Sequence, residues 1–325
     1  MPISRRDLLK LGVGAGASLL GDRLPAHARQ VISPALAQPE RITKAIPSSG
    51  ERLPVIGLGS AQTFNLTPQD QDYANGREVV RLFHEMGGKV IDTSPTYGRS
   101  EQFLGATTRE LGINNDVFIA TKVNVGSAGR AAANTQMESS LEVFGRPTCD
   151  LIQVWNLGGS IRRLSAATLD EHMEVLHEWK TAGRIRYLGI TTSRDPQYED
   201  TEQAMRDYTL DFVQLDYSMG DRIPEQRLLP LARERGIAVL ANRPFTTGNL
   251  FSRVAGKPLP AWAAEFDARS WAQFFLKFIV SHPAVTCVIP ATNDPAHLRD
   301  NMGACTGRLP DEATRARMIE YFSTI

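Results

Sequence analysis

Eight short apolar runs, rich in β-branched residues, recur along the chain with longer amphipathic stretches between them. The runs are Val55–Ser60, Lys89–Ser94, Val117–Val123, Asp150–Trp155, Arg186–Thr191, Asp211–Ser218, Ile237–Asn242 and Thr286–Ala291. Helical patterns separate them, as in Gly76–Met86, Asn134–Phe144, Leu169–Ala182, Glu225–Arg235 and Ala268–Ser281. Strand-like runs alternating with helical ones build parallel βαβ units. A doubly wound sheet would need an early strand followed by a Gly-x-Gly-x-x-Gly turn and a helix. The early pair Gly57-Leu58-Gly59 has no third glycine at the required place. Roughly 280 residues for eight units instead fit a (β/α)8 TIM barrel. The sequence therefore predicts one such barrel over residues 53–325, preceded by a polar, irregular linker over 38–52.

Chemistry in such a barrel sits at the C-terminal ends of the strands. The residues ending the runs are Asp92, Lys122, Trp155, Thr191-Thr192, Gln214, Asn242 and, just past the last run, Thr292. Asp92 and Lys122 close two apolar strands. Burying either charge alone is costly, and burying them together lets each compensate the other. An ammonium beside a tyrosine hydroxyl favours the phenolate and lowers its pKa.

Asp92-Thr93-Ser94-x-x-Tyr97-Gly98, with Ser100-Glu101 and Leu104-Gly105 behind it, resembles the aldo/keto reductase signature. Val55–Ser60 resembles the opening strand of that family, Gly183–Thr192 its fifth, and Phe212–Ser218 its sixth. Ile289-Pro290-Ala291-Thr292, followed by His297 and Asn301, resembles its last βα loop. The resemblance spans nearly the whole chain past the leader. It implies reduction of an aldehyde or ketone by hydride from NADP or NAD in reduced form. Tyr97 would be the general acid, Lys122 would tune it, and Asp92 would pair with Lys122.

The family's usual histidine, five residues after the leading Asp of the fourth strand, is replaced here by Trp155, counted from Asp150. An indole offers one N–H donor, no acceptor and no titration near neutrality. Trp155 is therefore expected in the catalytic wall but unable to relay a proton. Strand alternation would turn the neighbouring Asn156 the other way. The departure opens a second reading, a nicotinamide-binding barrel with little turnover in a sensing or structural role. A hydrolase or isomerase would want paired carboxylates, and Asp92 with Asp216 is the one candidate pair.

The resemblance also places cofactor contacts. Thr191, Thr192 and Gln214 would bond the nicotinamide carboxamide, with Gly59, Ser60 and Asp92 beside them. Asn242-Arg243-Pro244-Phe245 and Gly248 would run under the nicotinamide and pyrophosphate. Thr292, His297 and Asn301 would meet the adenosine end. Ala291 and His297 stand where many members have lysine and arginine, which weakens the expected preference for a 2′-phosphate.

Equal numbers of acidic and basic residues, 36 of each, argue against nucleic acid as a partner. Ser4-Arg5-Arg6-Asp7-Leu8-Leu9-Lys10 opens the chain, a short apolar run Leu11–Leu20 follows, and two small-x-small sites end at Ala28 and Ala37. That is the layout of a secretory signal, and the arginine pair resembles a twin-arginine leader over residues 1–37. Export of the folded chain, to a periplasm, and no stable membrane insertion after cleavage are expected. Three cysteines at wide spacing make no disulfide framework. His172 and His177 lack the i, i+4 spacing of a helical metal pair, so no metal is expected. They and His84 read as surface or satisfied core histidines. Trp262 and Trp271 read as packing, and Val125–Arg130 as a loop near the site.

Overall fold

The computed structural model describes residues 40–157, 165–193 and 198–325. The proposed leader lies outside them. An antiparallel hairpin comes first, β1 (Thr43–Ala45) with β2 (Arg52–Pro54). Eight parallel strands follow, each matching one apolar run: β3 (Leu58–Gly59), β4 (Val90–Asp92), β5 (Phe118–Val123), β6 (Cys149–Val154), β7 (Ile185–Thr191), β8 (Phe212–Asp216), β9 (Ala238–Asn242) and β10 (Val285–Val288). They hydrogen-bond in sequence order. The first meets the last through parallel bridges Ile56↔Val288 and Gly59↔Ala291, with Gly57 N–H on Val288 O at 2.8 Å and Gly59 N–H on Pro290 O at 2.9 Å. The sheet thus closes into a barrel.

The helices are α1 (Tyr73–Glu85), α2 (Ser100–Glu110), α3 (Gly129–Phe144), α4 (Ala166–Thr181), α5 (Tyr198–Asp207), α6 (Leu228–Arg235), α7 (Asn249–Arg253), α8 (Trp271–Ser281), α9 (Pro295–Gly303) and α10 (Glu312–Ser323). Their ends follow local sequence signals. Ser165, Ser270, Asp294 and Asp311 accept backbone N–H groups as N-caps of α4, α8, α9 and α10, and Pro295 opens α9. Gly145 and Gly236 end α3 and α6 in the left-handed conformation, φ 62° and 65°. None of the described helices is long and apolar enough to cross a membrane.

Two apolar clusters result from the period-2 alternation of the strands. One lies between strands and helices. The other fills the barrel: Val90, Phe118, Ala120, Leu151, Tyr187, Phe212, Ala238, Leu240, Cys287 and Ile289. Phe118, Tyr187 and Phe212 meet there with ring centroids 5.6–6.0 Å apart. Ile46 and Leu53, fully buried, complete this cluster from the hairpin. The hairpin closes the barrel floor, where Tyr187 donates to Glu51 Oε2 at 2.6 Å and its oxygen lies 2.8 Å from Ser49 Oγ. The expected irregular linker over 38–52 is therefore corrected from residue 41 onward, because the burial of Ile46 and Leu53 makes this segment part of the core. All three cysteines are free and buried, and burial pushes the Cys149 thiol up to about 12.

Candidate active site

With the floor plugged, the inward positions at the opposite rim are free to be polar. Asp92 ends β4, Lys122 is the fifth residue of β5, and Gln214 lies on β8. All three are buried. Lys122 Nζ lies 2.8 Å from each oxygen of Asp92 and 2.7 Å from Thr93 O. Gln214 donates from Nε2 to Asp92 Oδ1 at 2.7 Å. The ammonium thus has three acceptors, and the carboxylate is held by two side chains. Burial pulls the Lys122 pKa down, but the charges and hydrogen bonds of Asp92 and Tyr97 outweigh it, and the net shift is upward. Lys122 is a cation here.

Tyr97 reaches the pair from the turn after β4. Its N–H donates to Ser94 O at 3.0 Å, and Ser94 Oγ accepts the Thr96 N–H at 3.2 Å. Gly98 follows at φ +63°, and a Cβ there would come within 2.5 Å of Asn65 Oδ1. The turn therefore requires glycine. The Lys122 ammonium sits 5.1 Å from the Tyr97 ring centroid. Lys122 and the Trp155 indole are the neighbours that favour the ionised form of the phenol. Burial pushes the phenol above its ordinary pKa, Lys122 and Trp155 pull it back, and Asp92 opposes them. The expectation of a net depressed tyrosine is thus corrected, because desolvation exceeds the pull of the ammonium. The phenol is protonated at neutral pH, which is the form a proton donor must have.

Trp155 stands one residue past β6 and beside Tyr97, as its position implied. Asn156 does not simply alternate away. It adopts φ 60°, donates its N–H to Thr191 Oγ1 at 2.6 Å and accepts from Ser193 Oγ at 3.1 Å. The strand end is irregular, and Asn156 joins the β7 rim.

The residues expected to touch cofactor fall into two groups. Gly59, Ser60, Thr191, Thr192, Gln214 and Asn242 ring the mouth with Asp92. Ser60 Oγ and Asn242 Oδ1 are buried there without a hydrogen-bond partner. Beyond β9, Arg243, Thr246 and Thr247 take positive φ and lead to Gly248 at φ 89°, the N-cap of α7. Arg243 is held 3.2 Å from Asp216 Oδ2 and donates to Ser193 O. Pro244 is buried, and Phe245 stacks on Phe251 at 4.8 Å. Asp216 is thus the partner of Arg243. Thr292, His297 and Asn301 form a separate set on the last loop and α9. Thr292 Oγ1 accepts the Asp294 N–H, Asn301 is buried, and His297 turns to solvent 3.7 Å from Asp294. Val125–Arg130 forms a single 3-10 turn running into α3. Trp262 and Trp271 pack on Phe274 and Tyr321.

Sequence reasoning missed the bond from Gln214 to Asp92, and it noted Glu101 only as part of the motif, without its hydrogen bonds. Glu101 is a buried carboxyl taking Thr121 Oγ1 at 2.5 Å and Ser140 Oγ at 3.1 Å, with burial raising its pKa. Among the described residues no group of three or more His, Cys, Asp or Glu side chains is arranged to hold a metal.

The sequence model of the aldo/keto reductase family matches residues 55–317. The chain belongs to the aldo/keto reductase family. Aldo-keto reductase YhdN of Bacillus subtilis (strain 168) is 28% identical over 207 residues, 60% of this chain and 60% of that protein. The NADH-specific methylglyoxal reductase of Escherichia coli (strain K12) is 27% identical over 203 residues, 57% of this chain and 61% of that protein. The chain therefore matches less than two thirds of the length of either. Among solved structures, an aldo/keto reductase from Klebsiella pneumoniae in complex with NADP and acetate superimposes with a TM-score of 0.70 at 21% identity, covering 84% of this chain and 93% of that one. This likeness supports the barrel fold.

Proposed function

We propose that this aldo/keto reductase reduces an aldehyde or ketone with NADPH or NADH, using Tyr97 as the acid. The observation that carries this reading is the buried Lys122–Asp92 pair, with the Lys122 ammonium 5.1 Å from the Tyr97 ring centroid at the barrel mouth. Ser60 Oγ and Asn242 Oδ1, buried at the same rim without partners, fit a hydrogen-bonding nicotinamide, since unpaired buried polar groups are costly. Thr191, Thr192 and Gln214 would flank the ring, the Arg243–Gly248 loop would lie along the diphosphate, and Thr292, His297 and Asn301 would meet the adenosine. When bound, the reduced nicotinamide supplies the hydride. Tyr97 gives its hydroxyl proton to the carbonyl oxygen, so that a C=O becomes an alcohol. The phenolate left behind is met by the Lys122 ammonium and the Trp155 N–H. Asp92, fixed by Gln214, keeps that ammonium in place.

The test is oxidation of NADPH and NADH against a carbonyl panel by the wild type and Tyr97→Phe. Loss of about 10²–10⁴ in turnover with unchanged cofactor affinity is expected, the range for general acid catalysis. Full turnover in Tyr97→Phe would remove the phenol from the mechanism.

The arginine pair at residues 5 and 6 and the short apolar run behind it support export of the folded chain by the twin-arginine machinery. A protein exported folded would carry its cofactor with it. Replacing Arg5 and Arg6 by Lys should hold the protein in the cytoplasm, and unchanged export would refute the route.

A further inference from the structure

We infer that His172, far along α4 from the barrel axis, is a positioning residue for the rim segment that joins Lys122 to Trp155. The inference rests on the proposed reduction at this rim. Beyond the last β5–β6 pair, Val123↔Val154, the chain leaves the sheet. Three successive backbone N–H groups then lose their ladder partners, and a side chain takes each one. Asn124 N–H donates to Gln136 Oε1 at 2.9 Å, Val125 N–H to His172 Nε2 at 3.3 Å, and Gly126 N–H to Asn124 Oδ1 at 2.9 Å. Held in this way, Asn124 donates from Nδ2 to Trp155 O at 2.8 Å, while Trp155 N–H donates to Val123 O at 2.9 Å. Trp155 is clamped at both backbone groups, and its indole is a neighbour that acts on the Tyr97 phenol.

His172 suits this task in only one form. Its Nδ1 lies 2.7 Å from Thr168 O, a carbonyl that can only accept, so Nδ1 carries the proton. Nε2 is left with its lone pair facing Val125. The ring is almost wholly buried. Both its nitrogens are used, and packing alone would not require either. Leucine would fill the space and leave the Val125 N–H unsatisfied. Glutamine could offer its carbonyl to the same N–H.

Three measurements test this. A long-range ¹H–¹⁵N spectrum of the wild-type protein should show the Nδ1–H form of His172, and an Nε2–H form would overturn the proposal without any variant. In His172→Leu, hydrogen exchange at residues 124–126 should speed up and kcat should fall about 10-fold, with cofactor affinity unchanged because Thr191, Gln214 and Asn242 lie on other strands. His172→Gln should restore most of both. Wild-type kcat and exchange in His172→Leu, an equal loss of cofactor affinity, or a glutamine variant as impaired as leucine would each refute it. If the wild type reduces no carbonyl, the proposed function fails, and the tautomer and the exchange rates still decide the positioning claim.

Discussion

The Trp155 indole stands near the Tyr97 hydroxyl and favours its ionised form, against the burial that raises its pKa. The residue that replaces the family's histidine thus acts on the proton donor itself. A hydrogen bond to a forming phenolate is charge-assisted, and such bonds contribute about 1.5–3 kcal/mol. Trp155→Phe keeps the bulk and removes the donor, so kcat/KM should fall by roughly 10- to 100-fold. Trp155→His keeps a donor and opens the pocket beside Tyr97, so small aldehydes should be reduced faster than by the wild type. The comparison is kcat/KM on one carbonyl panel at saturating cofactor. A histidine variant slower on every substrate would mean that the indole is matched to a particular native substrate.

The Asp92–Lys122 pair serves both stability and the proposed chemistry, and a double substitution separates them. Asp92→Asn leaves a buried ammonium without its counter-charge, a change that costs about 3–5 kcal/mol in comparable pairs. In a domain of this size that is a fall in Tm of roughly 10 °C. Asp92→Asn with Lys122→Met should recover much of the melting temperature while turnover stays lost. Calorimetry and turnover on the same preparations decide it. A double variant no more stable than the single would show that the neutral amide and thioether cannot share the site.

The barrel was legible because its signal is repeated eight times, and each repeat reports the same alternation of apolar run and amphipathic helix. Asp92 and Lys122 stood out in the sequence as charged residues at the ends of apolar strands, and Tyr97 through the resemblance of the motif around it. The floor hairpin was not legible. Its strands are three residues each, and Ile46 and Leu53 sit among polar neighbours, so no periodicity emerges. The direction of the Tyr97 shift was also hidden, because it depends on how deeply the ring is buried as well as on which charge stands near it. Asn124 and His172 were unreadable for a third reason. Their roles lie in hydrogen bonds to backbone groups that leave the ladder, and only the fold shows which groups those are.

His282, at the turn before β10, gives the fold a defined acid sensitivity. Burial lowers its pKa to about 4, helped by the positive charges of Arg315, Lys44 and Arg233. The folded value lies below the ordinary histidine value of 6.5, so the unfolded chain binds the extra proton first. The stability from keeping this ring neutral is present above pH 6.5 and is lost as pH falls toward 4. His282 Nδ1 accepts the Ala284 N–H at 3.2 Å, an acceptor that asparagine can supply. The His282→Asn variant should therefore lose less Tm than the wild type between pH 7 and pH 4. Parallel pH profiles for the two proteins would assign the acid sensitivity elsewhere.

Gly59 sits at the seam where the barrel closes, and that seam predicts a cost separate from any cofactor contact. Its N–H bonds Pro290 O, its Cα pairs with Asp92, and its bridge partner across the seam is Ala291. A Cβ at this position would lie 2.7 Å from Ile289 O, a backbone atom. Ile289 cannot easily yield, because its own N–H bonds Ala241 O at 3.0 Å and its side chain fills the barrel interior. Gly59→Ala therefore has to move a strand, and overpacking of this kind costs about 1–3 kcal/mol. The expected result is a Tm lower by roughly 3–10 °C. The displacement also shifts Ser60, so cofactor affinity should weaken in the same variant even though alanine adds no group to the pocket. Calorimetry and cofactor titration measure the two effects independently. Wild-type melting with weakened cofactor binding would show that the seam yields locally and that Gly59 is there for close approach of the ligand. Lowered melting with intact binding would make it a closure residue alone.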